Sequence, residues 1–139
     1  VSVSKAHGVS IAEFPTTVEA AHACADQEIS VIMGSPNLVR GGSHSGNVAA
    51  AELAQLNRVD ILSSDYVPAS LLLGALGLAD LWQDMPRAIA TVTRNPAAAV
   101  GLSDRGVLAP GKRADIIRFG RALGAPVIRG VWVNGQRQA

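Results

Sequence analysis

The sequence predicts a parallel α/β fold followed by an antiparallel β tail. Two observations predict it. Nearly continuous apolar runs alternate with Ala- and Leu-rich helical runs from Val9 to Leu78, as parallel strands and their crossover helices do. Beyond Leu102, strand patterns return without helices between them and end at the hairpin dipeptide Asn134-Gly135.

The first strand runs through Val9, Ile11 and Phe14, carries Glu13 near its end and stops at Pro15-Thr16-Thr17. Thr17 is placed to cap the helix predicted over Val18 to Glu28. Ile29, Val31, Ile32 and Met33 form the second strand, ended by Gly34-Ser35-Pro36-Asn37, and a polar loop follows from Val39 to Gly46. A helix from about Asn47 to Leu56, with Asn47 as its cap, leads to a third strand over Asp60 to Asp65. Pro68 then fits the first turn of a helix that uses Leu71, Leu72, Leu73, Leu76 and Leu78. Short helices are expected over Pro86 to Val92 and Asn95 to Val100, the second with Asn95 as cap. Turns at Leu102 to Gly106 and at Pro110-Gly111-Lys112 introduce strands over Ala114 to Phe119 and Val127 to Val133.

Composition bounds the function. With 139 residues, 48% apolar and 17% charged, the chain can bury a real core. A net charge of +1 offers no basic field, so neither nucleic acid nor an anionic membrane is expected as partner. No apolar run approaches the roughly 20 residues that span a bilayer, and Val1-Ser2-Val3-Ser4-Lys5 has no signal-peptide architecture. The lone Cys24 permits no internal disulfide, which suits a reducing, cytoplasmic location. The start without Met suggests a fragment, a processed product or a trimmed chain.

Reactive groups in parallel α/β folds collect at the C-terminal ends of strands, where the loops surround one mouth. The three ends here offer Glu13, then Asn37 with the Arg40 to Gly46 loop, then Ser63, Ser64 and Asp65. A carboxylate straight after an apolar strand, as Asp65 is, can bind a metal or take a proton from water, and it can equally cap the turn before Pro68. The Arg40 to Gly46 loop combines a guanidinium, glycines, Ser43, Ser45 and His44, an inventory that suits phosphate oxygens and also suits a plain surface loop. It is neither a nucleotide P-loop nor a dinucleotide fingerprint. His7 and His22 lie outside these strand ends and read as exposed or structural.

Three segments, Ile11 to Thr17, Met33 to Asn47 and Asp60 to Pro68, closely resemble the triphosphate diphosphatases of phosphonate catabolism, a family of the amidohydrolase superfamily that serves the carbon–phosphorus lyase pathway. Thr93 to Ala97 and Gly106 to Asp115 resemble a widespread amidohydrolase C-terminus. The resemblance implies the last three units of a metal-dependent-hydrolase (β/α)8 barrel with the following helices over residues 1–101, and part of a small β-sandwich over 102–139. It implies a divalent metal, zinc in first place and manganese as the alternative, with Asp65 as metal ligand and base and Glu13 as a further ligand. His44 is then catalytic, binding phosphate, donating a proton or ligating metal, and Arg40, Ser43, Ser45, Asn37 and Ser64 contact a phosphorylated sugar phosphonate substrate. The family's His-X-His strand and middle-strand ligands do not occur in these residues, so activity in isolation is not expected. Unpaired barrel edges would then be completed by the N-terminal part of the same enzyme or by a second copy of the chain. The rival readings are a non-catalytic domain that binds a phosphorylated ligand or a partner, and a structural piece with no function of its own.

Overall fold

A computed structural model describes residues 1–42 and 46–139. Ser43, His44 and Ser45 lie outside the described residues. After a short helix α1 (Ser2–Ala6), which the sequence reading did not anticipate, three strands form a parallel sheet in chain order: β1 (Ile11–Glu13), β2 (Ser30–Gly34) and β3 (Ile61–Ser63). Ala12 lies opposite Val31 and Met33 opposite Leu62, so these four side chains share one face of the sheet. That face joins Ala21 and Cys24 of α2 (Val18–Asp26) and Leu53 and Ala54 of α4 (Ala50–Gln55) in one buried cluster. Met33 and Leu53 are essentially inaccessible, and each contributes about 1.5–3 kcal/mol by leaving water. Asp60 secures the register ahead of β3: its Oδ2 accepts from Val31 N (2.8 Å) and its own N donates to Val31 O (3.0 Å).

The helix starts explain where the sequence reading held and where it did not. Thr17 Oγ1 accepts from Ala20 N at 3.1 Å, as expected of a cap. Asn47 does not cap α4. The helix begins at Ala50, and Asn37 Oδ1, from a neighbouring element, accepts its first amide at 2.9 Å. Asn95 likewise lies inside α7 (Arg94–Ala99), where its Nδ2 donates to Asp60 O at 2.8 Å and ties that helix to the entry of β3. The stretch read as strand end and polar loop is partly helical: α3 (Ser35–Arg40) starts directly after β2, has Pro36 in its first turn and ends at Gly41 with φ 80°. Glycine suits that left-handed position.

α5 (Ser70–Trp82) starts two residues after Pro68, and α6 (Met85–Ala90) follows it. Asp84 starts α6 by accepting from Arg87 N at 3.0 Å. Trp82 Nε1 donates to Ala54 O at 2.9 Å, which fastens α5 to α4. α5 and α3 approach closely because Gly74 faces Ser35: a Cβ on Gly74 would lie 2.8 Å from Ser35 Oγ. Among the described residues no helix is long and apolar enough to cross a membrane.

The tail is an antiparallel meander of β4 (Ile116–Ala122), β5 (Ala125–Val133) and β6 (Gln136–Arg137). Leu123-Gly124 and Asn134-Gly135 make its two turns, and all four residues have positive φ, the backbone that tight hairpins require. Gly130 lets the Trp132 ring lie across the strand, since a Cβ there would meet the ring at 2.5 Å. Arg121 of β4 pairs with Asp80 of α5 through both carboxylate oxygens, which joins the meander to the helical layer and holds the Asp80 carboxyl below its ordinary value. The pair is solvent-exposed and contributes little to stability.

Candidate functional site

A cavity of about 300 Å³ opens at the C-terminal ends of the three parallel strands. Phe14 and Pro15 follow β1, Pro36 and Asn37 belong to α3, and Asp65 and Tyr66 follow β3, so all three strand ends contribute to its wall. Three sequence-predicted features, Asn37, Asp65 and the glycine-bearing loop through Gly42, therefore meet in one place.

Gly34 is buried at the end of β2, beneath two of the lining residues. An added Cβ would lie 3.0 Å from Asp65 Oδ2 and 3.1 and 3.2 Å from Phe14 Cε1 and Cζ. The Asp65 carboxylate and the Phe14 ring thus occupy the space a larger residue would fill. Both residues leave their strands with left-handed backbone, Phe14 at φ 52° and Asp65 at φ 50°. Such geometry carries a cost for any residue with a Cβ, and Asp tolerates it better than most. It turns the Asp65 side chain back over the end of β2 instead of onward along the loop.

Arg40 is outside the cavity lining but touches it through Tyr66: Arg40 Nη1 donates to the Tyr66 hydroxyl at 2.8 Å, and the guanidinium carbon lies 5.6 Å from the centre of the Tyr66 ring. Arg40 ends α3 and Tyr66 follows Asp65, so this contact joins the second and third strand-end segments. The Asp65 carboxylate lines the cavity, and the Arg40 guanidinium is joined to that lining through Tyr66.

The remaining predicted residues are placed less centrally. Asn37 lines the cavity, with its Oδ1 committed to the Ala50 amide. Ser64 lies on the β3–α5 turn but outside the cavity lining, and its carbonyl accepts from Val67 N at 3.1 Å. Glu13 is exposed, and the register sets it in a row with Ile32 and Ile61, opposite in facing to Ala12 and Val31; it too is outside the lining. Ser43, Ser45 and His44 fall outside the described residues. His22 accepts from Arg58 Nε at 3.0 Å through Nδ1, a structural contact on α2. The sequence reading missed Gly34, Phe14 and Tyr66. A glycine closing an apolar strand is a signal of close approach by another group, and Gly34 could have been found that way.

Whether these residues fit a divalent metal is decided by the donor set. Asp65 has the right chemistry, a carboxylate at a strand end beside a cavity. Yet among the described residues no three His, Cys, Asp or Glu side chains gather to hold an ion. The described residues supply one donor of the right kind and do not complete a metal site.

A family model described as "Amidohydrolase family" matches residues 50–138. The chain is 54% identical to the alpha-D-ribose 1-methylphosphonate 5-triphosphate diphosphatase of Escherichia coli (strain K12), covering 97% of this chain and 37% of that protein. It is 43% identical to the imidazolonepropionase of Deinococcus deserti across 37% of this chain and 15% of that one. In three dimensions it superposes on an amidohydrolase from Thermotoga maritima MSB8 with a TM-score of 0.73 at 22% identity, covering 98% of this chain and 38% of the other. The chain thus spans little more than a third of the length of the diphosphatase, and its α/β architecture is part of an amidohydrolase fold. With the family match extending over most of its length, the chain belongs to the amidohydrolase family.

Proposed function

We propose that these residues form the C-terminal part of a metal-dependent hydrolase that cleaves α-D-ribose 1-methylphosphonate 5-triphosphate to the 5-phosphate and pyrophosphate. In this reading residues 1–101 are the last three units of a (β/α)8 barrel with their following helices, and residues 102–139 are part of a β-sandwich. The single observation that carries it is the Asp65 carboxylate set on Gly34 at the mouth of the parallel strands, within a chain 54% identical to that diphosphatase. The other ligands of the metal, zinc or manganese, come from strands outside these residues, and the metal when bound supplies a more acidic water.

The chain's own groups have definable tasks. Asp65 accepts the proton of the attacking water as oxygen adds to phosphorus and the bond to the pyrophosphate leaving group breaks. Arg40 binds the phosphate oxygens of the triphosphate chain. Ser43, Ser45 and Asn37 complete the phosphate contacts, with Ser64 beside them and His44 as a proton donor, and Glu13 is a more distant candidate ligand. A non-catalytic phosphate-binding domain is the second reading, favoured by the observation that one acidic donor, not a cluster, faces the cavity among the described residues.

The test uses the longer polypeptide that carries this sequence. Incubated with the ribose triphosphate and divalent metal, it is expected to give equal amounts of 5-phosphate and pyrophosphate by phosphorus NMR. Tight binding of the triphosphate with no pyrophosphate formed would favour the non-catalytic reading instead.

A further inference from the structure

The geometry points to Tyr66, which lines the cavity, as a positioning residue that holds Arg40 beside the cavity for a polyphosphate chain. This inference rests on the phosphate reading of Arg40 given above. Its basis is a two-point clasp made by consecutive residues. Asp65 presses on Gly34, the residue immediately before α3, while Tyr66 binds Arg40, the residue that ends α3. α3 has six residues, so the two points lie roughly 9 Å apart along the helix axis at about 1.5 Å per residue. The left-handed backbone of Asp65 (φ 50°) lets neighbouring side chains reach both points.

Two contacts join the guanidinium to Tyr66. Nη1 donates to the phenolic oxygen at 2.8 Å, and the ring lies under the guanidinium at 5.6 Å. Arg is a long, rotamer-rich side chain, and fixing it before substrate arrives removes part of the ordering cost of binding. Tyr66 is 60% exposed, so its ring is not needed to fill the core. An arginine has five N–H donors in a planar fork, and the bond to Tyr66 uses one of them.

Because Tyr66 acts through Arg40, its effect falls on binding and not on bond cleavage. In the longer polypeptide, Tyr66→Phe keeps the ring and removes the hydroxyl. The KM for the ribose triphosphate and the inhibition constant for inorganic tripolyphosphate are each expected to rise about 3- to 10-fold, the scale of one ordinary, solvent-exposed hydrogen bond. kcat is expected to stay within about twofold, and inhibition by inorganic phosphate is expected to stay unchanged. In an Arg40→Ala background the same Tyr66→Phe change should have less than about twofold effect, because the residue it positions is gone. Tyr66→Ala, checked for an unchanged Tm, should exceed Tyr66→Phe because the ring contact is lost as well.

Two results overturn the inference alone: Tyr66→Phe with unaltered constants while Arg40→Ala weakens tripolyphosphate, or a Tyr66→Phe effect that persists undiminished in Arg40→Ala. If Arg40→Ala itself leaves tripolyphosphate inhibition unchanged, the phosphate reading of Arg40 fails and this inference fails with it.

Discussion

Replacing Gly34 with alanine tests how the Asp65 carboxylate is seated beside the cavity. Gly34 has φ −74° and ψ 128°, a backbone any residue adopts, so the substitution adds a methyl group without backbone strain. That methyl would lie 3.0 Å from Asp65 Oδ2 and 3.1 and 3.2 Å from two Phe14 ring carbons. Comfortable separations are about 3.5–4.0 Å between carbons. The clash is therefore several tenths of an ångström on two sides. Phe14 is half-buried and packed on the core, whereas Asp65 is exposed, so the carboxylate moves more than the ring. Overpacking of this kind costs about 1–3 kcal/mol, and since a full displacement of about 1 Å at a reacting group can cost about 100-fold in rate, a shift of several tenths of an ångström should cost on the order of 10-fold. Thermal unfolding and kcat measured together in the longer polypeptide should show a modestly lower Tm and a disproportionately lower kcat. Pairing Gly34→Ala with Phe14→Leu, which makes room on the ring side, should recover part of the loss. Unchanged kcat and Tm in Gly34→Ala would refute the idea that this glycine exists to seat the carboxylate.

Three further outcomes follow from the packing and the charges. Gly74→Ala should destabilise by up to about 2 kcal/mol in chemical denaturation, because its Cβ would meet Ser35 Cβ at 2.9 Å and overpacking of about 1–3 kcal/mol is offset only in part by the roughly 1 kcal/mol gain in helix propensity. Gly77→Ala, whose nearest neighbour is Leu38 Cδ2 at an ordinary 3.7 Å, should instead stabilise by up to about 1 kcal/mol; an equal effect at both sites would contradict the assigned close approach of α3 and α5. The Asp115 carboxyl is held below its ordinary 3.8, first by the Asn134 amide and then by Arg113, with Nε 2.8 Å away. A depressed folded-state value means that this carboxylate's contribution is fully present above pH 3.8 and is lost as pH falls through the lower folded value. Amide exchange at Asn134 should therefore accelerate in that acidic window relative to its neighbours, and Asp115→Asn should abolish the difference.

The parallel sheet was legible because its strands are short apolar runs, Val31 to Met33 and Ile61 to Leu62, with helical periodicity between them. The antiparallel tail was legible from Asn134-Gly135, a dipeptide whose preferred backbone specifies its turn. The equivalent turn at Leu123-Gly124 was not, since leucine gives no such signal. Caps were the weak point. Asn47 and Asn95 have the residue type of a cap, but the Ala50 amide is met by Asn37, thirteen positions away in sequence, and only the tertiary fold brings them together. α3 was hidden because a serine, a proline and an asparagine after a strand read as a turn, though the same proline suits a first helical turn.

At the site, Asp65 could be read from its place after β3, and its neighbours could not. Gly34 matters for the space above it, and Tyr66 for a partner twenty-six positions away; neither distance is a property of local sequence. Glu13 follows the same strand-end rule as Asp65 but lies outside the cavity lining, because the rule fixes a strand end and not the face a side chain takes.

The central claim is that Asp65 is the group in these residues on which hydrolysis depends. Asp65→Asn keeps the shape of the side chain and removes its negative charge, so it separates chemistry from packing. In the longer polypeptide, pyrophosphate release from the ribose triphosphate should fall by about 100- to 10,000-fold, the scale of a lost general base, with Tm nearly unchanged and the content of bound divalent metal reduced. Release at close to the wild-type rate would contradict the account.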